Sequence, residues 1–337
     1  MRSTKYWTKT ARRANLRSAA LLCVILALLP AGALPQETTL RSQANVVLIP
    51  ALVKDQRGGI VYGLEAQDFI VEDDGVEQPA RLDEAPEGQP VSLVVAIQRG
   101  RRAHYEFPRM RGLNFMLDPL FAQGARVALL EFDSKVEITR NFTKDASLIA
   151  ADLSNLEPGD DGAAILDAVA AAVNLLKNEP DERQRVLLLI SETRDHASLT
   201  KIDDAVAAIG QTATLVYALA FSPALSNILD TGRGNNQNEM HNGVNFLDLM
   251  YRTAQAVRKN VPSAIATMTG GEYQLFATRK KLEVRMNDFT NHLHSRYLLS
   301  IAPRNPHPGL HQIRVRLKEA GSDSVLARNS YWAEGTK

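Results

Sequence analysis

His292 and His294 are the closest pair of imidazoles in the chain, and two imidazoles on one face are the simplest start for a metal centre. Residues two apart share a face on a strand but not on a helix, and the pattern around this pair reads as helix, so it makes a weak metal clip. His104, His196, His241, His307 and His311 read as surface or capping residues. The acid pairs Asp73-Asp74 and Asp160-Asp161 have the composition of a general acid and base, yet their settings suit turns better. No G-x-x-x-x-G-K-[ST] phosphate loop, H-E-x-x-H zinc motif or G-x-S-x-G elbow occurs. The expectation is a protein that is not an enzyme.

Cys23 is the one cysteine, and it lies in the apolar run Ser18–Pro30. A basic segment precedes that run and Ala31-Gly32-Ala33 follows it, which together read as a cleaved secretory signal over residues 1–33. A permanent membrane span needs about 20 apolar residues, and this core is shorter, although an uncleaved anchor is the alternative. Cleavage leaves an exported chain with no cysteine, hence no disulfide, no thiolate nucleophile and no cysteine-bound zinc. It also leaves 33 Lys and Arg against 38 Asp and Glu, a net charge of −5. A mildly acidic body lacks the clustered positive field that nucleic-acid binding requires.

The elements that must position any site alternate in type. Residues 46–53 and 68–72 are short β-rich stretches, with turns at Asp55–Gly59 and Asp73-Asp74-Gly75, and they form the N-terminal part of a small β module over 46–85. From residue 91 the strands become continuous apolar runs: 91–97, 125–132, 185–190 and 213–221. Ala163–Leu176 places Ile165, Val169, Val173 and Leu176 on one helical stripe. Helices are also expected at 144–156, 201–209 and 279–294, with a longer one at 246–268 interrupted at Pro262. Such alternation implies an α/β domain over 91–294, a doubly wound and mostly parallel sheet whose crevice lies beyond the strand C-termini. Asp230–Asn245 reads as a mobile surface loop. Arg296–Ala302, His311–Leu317 and Ser324–Trp332 read as C-terminal strands within 296–333 that complete the β module.

Order and spacing carry a resemblance. Val53-Lys54-Asp55 leads to Gly63-Leu64, Asp68-Phe69, Glu72-Asp73-Asp74-Gly75 and Gln78. An apolar strand follows, then Asp167-Ala168 in a helix, the strand RVLLLIS, Met268–Tyr273, and Tyr297–Asn305. Over about residues 46–318 the chain resembles the secreted von Willebrand factor type A-related proteins of acidobacteria. The resemblance implies a six-stranded doubly wound sheet beside a small β-sandwich-like module, and a metal-ion-dependent adhesion site built from D-x-S-x-S, a Thr and an Asp. Here those positions fall on Gln98-Arg99-Gly100-Arg101-Arg102, on Ala163 and on Glu192, with Asp195 close by. Mg²⁺ wants about six hard oxygens, so neither Mg²⁺ nor any other cofactor is expected. The arginines would take the cation's electrostatic role, either pairing with a partner's carboxylate or held internally by Glu192, Asp195, Asp160 and Asp161. A decayed, merely solvated loop is the alternative. The implied function is an exported adhesion-type module that binds a protein partner. The alternative is a structural or assembly subunit of a cell-envelope complex.

Overall fold

The computed structural model describes residues 46–83, 89–221, 246–303, 306–319 and 323–334, all within one compact unit. The expected signal and the 230–245 loop lie outside the described residues. The N-terminal strands are β1 (Val47–Lys54), β2 (Phe69–Asp73), β3 (Val76–Gln78) and β4 (Arg81–Asp83). The α/β part follows with β5 (Val91–Gln98), α1 (Phe107–Met110), α2 (Leu113–Ala122), β6 (Arg126–Phe132), β7 (Val136–Thr143), α3 (Ala146–Ser154), α4 (Ile165–Lys177) and β8 (Gln184–Ser191). It continues through α5 (Ile202–Gly210), β9 (Leu215–Phe221), α6 (Phe246–Lys259), α7 (Val261–Thr269), β10 (Tyr273–Phe276) and α8 (Arg279–Leu293). The chain closes with β11 (Tyr297–Ile301), β12 (Gly309–Leu317), β13 (Ser324–Ala327) and β14 (Ser330–Ala333).

β5 and β9 are buried along their whole length, as strands covered on both faces must be. The sheet order is β10-β9-β8-β5-β6-β7, with β7 antiparallel at the edge and every other neighbour parallel. Alternation along β5 divides the core. Leu93, Val95 and Ile97 pack with α2, α3 and α8, whereas Val94 and Ala96 pack with α4, α5, α6 and α7. Among the described residues no helix is long and apolar enough to cross a membrane.

Several elements differ from the sequence expectations. β7 was not anticipated, because an edge strand buries little and its sequence VEITRNFT is mostly polar. α2 carries Pro119 inside it and starts after Gly112, signals that argue against a helix locally; Leu113, Leu117 and Leu120 in the core override them. The expected helix 246–268 is two helices. Asn260 separates them by capping Ser263 N, and Pro262 sits in the first turn of α7, where its missing N–H removes no helical bond.

Strands from both chain ends do share sheets. One sheet runs β13-β1-β11-β4 and the other β14-β12-β2-β3, with Ile49, Val53, Phe69, Val71, Leu299 and Ile313 in the core between them. The expected single strand Ser324–Trp332 is divided between the sheets at Arg328-Asn329. The Arg328 guanidinium is buried at that corner, where its Nε donates to the Ser330 carbonyl at 2.7 Å.

Candidate functional site

β5 is the strand at which the chain order reverses, with β6 on one side and β8 on the other, so the crevice opens where β5 and β8 end. Gln98 is the last residue of β5 and is fully buried. Its Oε1 accepts from Glu192 N at 2.9 Å, across the strand gap, and its Nε2 donates to the Gly100 carbonyl at 3.3 Å. The amide thus ties the two strand ends together, a role a carboxylate at this position could fill only on the acceptor side.

The next residues turn sharply. A Cβ on Gly100 would lie 2.0 Å from the Gly162 carbonyl oxygen and 2.8 Å from Asp133 Cβ, so only glycine lets the three loops meet. Arg101 then adopts φ +54°, a left-handed conformation that costs a β-carbon-bearing residue of order 1 kcal/mol or more. Its N–H donates to the Asp160 carbonyl at 2.7 Å, and its Nε stands 3.0 Å from Glu192 Oε1.

Arg99 turns the other way. Its Nε donates to Asp133 Oδ2 at 3.0 Å, and its terminal nitrogens lie 3.5 Å from Glu131 and 3.2 Å from Glu137. Burial works against this charge, but Asp133 and then Glu131 and Glu137 outweigh it and hold the guanidinium above its ordinary pKa. Burial in turn pushes the Glu131 carboxyl up. Glu131, Asp133 and Glu137 were not anticipated as site residues. The strand-end alternation Glu131-Phe132-Asp133, with Phe132 in the core, carries the signal for the first two, while Glu137 depends on the unforeseen β7.

The remaining predicted residues separate. Arg102 is exposed, and among the described residues no ion pair reaches it. Ala163 is fully buried in the apolar layer beneath the crevice, so it offers no donor there. Asp195 was expected to hold an arginine; instead its Oδ2 accepts from Leu166 N at 2.9 Å and from Ser198 Oγ, and its Oδ1 accepts from Ser198 N at 3.0 Å. A carboxylate is drawn there by the unpaired N–H groups of the first turn of α4. Asp160 likewise bonds to Ser134 and to Gly162 N, and the Ser134 hydroxyl holds its carboxyl below the usual range. Of the acids expected to hold arginines, Glu192 alone does so. His292 pairs with Glu272 rather than with His294, its Nδ1 lying 2.7 Å from Glu272 Oε1.

A doubly wound sheet with one antiparallel edge and a loop-built crevice defines a class of α/β domain. Residues 106–194 match the family profile described as the von Willebrand factor type A domain, and the six-stranded α/β sheet that contains them has the fold of that domain. Solved structures with likeness of fold include BatB from Bacteroides thetaiotaomicron, at 14% identity and TM-score 0.41, covering 60% of this chain and 98% of that one. The von Willebrand factor domain of the type V pili tip protein Mfa5 from Porphyromonas gingivalis is 12% identical, with TM-score 0.41 and coverage of 60% and 95%. Proximal thread matrix protein 1 from the mussel byssus is 11% identical, with TM-score 0.43 and coverage of 64% and 49%. No curated protein sequence matches the chain.

Proposed function

We propose that this chain is an exported, non-enzymatic protein-binding module of adhesion type, in which arginine–carboxylate pairs take the place of a metal ion. The observation that carries the reading is the pairing of Arg101 with Glu192 and of Arg99 with Asp133 around the ends of β5, β6 and β8. The donor set does not fit Mg²⁺. Gln98 uses both amide atoms on protein, Ala163 presents a methyl group to the core, and the carboxylates closest to the crevice already face guanidiniums. The partner surface is the rim of the same loops, which carry exposed Arg102 and Arg194 and exposed Tyr105 (65%) and Leu199 (92%). Basic groups interleaved with large apolar side chains suit a partner that offers carboxylates around an apolar centre.

Calorimetric titration of the mature chain with Mg²⁺ and Mn²⁺ tests the crevice: no saturable heat is expected, and a chelator-reversible isotherm overturns the reading. Capture of an envelope partner by wild-type chain but not by Arg102→Glu, at equal melting temperature, supports recognition through the rim. Equal capture by both is the result expected of an assembly subunit that uses its β module instead.

A further inference from the structure

The β module carries a cluster of titratable side chains far from the crevice in function and sequence. β2 ends in Asp73, and Asp74-Gly75 forms a two-residue hairpin to β3 with φ of +48° and +82°, the twist that such hairpins favour. β12 pairs with β2 and brings His311 alongside, and the segment leading into β12 brings His307. Asp74 Oδ2 lies 2.8 Å from His311 Nδ1 and 3.3 Å from His307 Nε2, and the three donor atoms fall within 4.8 Å of one another. Asp73 Oδ1 is 3.4 Å from His311 Nδ1.

The other polar atoms of these groups distinguish the cluster from a surface ion pair. His311 Nε2 donates to the His307 carbonyl at 2.7 Å, which turns Nδ1 toward the aspartates. Asp74 Oδ1 accepts from Gln312 N at 2.9 Å, and Asp73 Oδ2 accepts from the Tyr331 hydroxyl at 3.0 Å. Each group is held through one atom while its other atom faces the cluster, which is how protein imidazoles and carboxylates are aimed at a metal. Two of the inward atoms, His311 Nδ1 and Asp73 Oδ1, are buried and face each other at 3.4 Å, in residues that are 2% and 8% exposed. Imidazole nitrogens and carboxylate oxygens that converge in this way form a donor set a cation can bridge.

We propose that Asp74, His307 and His311, with Asp73 as fourth donor, bind Zn²⁺. Two imidazole nitrogens and two carboxylate oxygens match a tetrahedral Zn²⁺ shell, whereas Mg²⁺ and Ca²⁺ want six or more oxygen ligands. His307 is the exposed member, with its ring over that of His311 at 4.0 Å between centroids, so the cation enters from solvent on its side. The proposal is independent of the crevice reading, since no residue is shared.

The test is calorimetric titration of the chelator-stripped whole chain with Zn²⁺ alone. One Zn²⁺ per chain is expected, with affinity falling at least about tenfold in His307→Gln and in Asp74→Asn, and unchanged in Glu192→Gln. His307 is exposed, so His307→Gln is expected to melt with wild type in the absence of zinc. Co²⁺ in place of Zn²⁺ should give the visible absorption of a tetrahedral site. No saturable Zn²⁺ uptake, or uptake of equal affinity in His307→Gln, overturns the proposal and leaves the cluster as an ion-pair network.

Discussion

Lys54 Nζ lies 2.8 Å from Glu272 Oε2, joining the end of β1 in the β module to the residue that precedes β10 in the α/β domain. Glu272 is 6% exposed, and His292 at 2.7 Å and Arg296 at 3.7 Å surround its other oxygen. One carboxylate thereby joins Lys54 of β1, His292 of α8 and Arg296 of the α8–β11 loop.

That arrangement sets a pH dependence. Burial pushes the Glu272 carboxyl up, but His292 and Lys54 outweigh it and bring it down from 4.5 to about 2. A depressed carboxyl contributes stability that is complete above its unfolded value of 4.5 and is lost as pH falls through about 2. The contribution is of order 3 kcal/mol. Urea unfolding at pH 7 and at low pH should show wild type losing more stability than Glu272→Gln across this window. At pH 7 the variant should itself be weaker by about 3–5 kcal/mol, because Lys54 and Arg296 lose their buried counter-charge.

Arg101→Ala should destabilise the domain more than Arg101→Gly, by about 1 kcal/mol. Both lose the Glu192 pair, but only glycine relieves the left-handed backbone at φ +54°. Denaturant midpoints at equal slope measure the difference. An Arg101→Ala, Glu192→Ala double-mutant cycle should add a coupling of about 0.5–3 kcal/mol.

Gly100→Ala should be severe. The added methyl meets the Gly162 carbonyl at 2.0 Å, and that atom belongs to backbone held on both sides. A loss of about 3 kcal/mol or more is expected, read as a drop in melting temperature.

Asp195→Ala should cost about 1–2 kcal/mol through loss of the carboxylate that receives Leu166 N and Ser198. Partner capture should survive it, whereas Arg102→Glu should abolish capture at unchanged stability. The two variants separate helix capping from recognition within one crevice.

The main strands and helices were legible because burial on both faces writes itself into sequence. VSLVVAIQ and LVYALAF can only be central strands, and the stripe from Ile165 to Leu176 can only line a core. The elements missed were those whose stability is borrowed: β7 from its neighbour β6, and α2 from the leucines it buries despite Pro119.

The sequence alone placed Gln98, Ala163 and Glu192 at the ends of their strands and the start of a helix, since each can be read from residue order within its loop. Which acid meets which arginine was decided only by tertiary structure. Glu192 was foreseen, but Asp133, Glu131 and Glu137 reach Arg99 because β6 lies beside β5 and β7 beside β6, and Asp195 is drawn away by the start of α4. The same holds for Asp74 and His311, 237 positions apart and joined by the pairing of β2 with β12. Local pattern encodes periodicity and burial, whereas a charge finds its partner by through-space distance, and that is fixed only once the sheets have assembled.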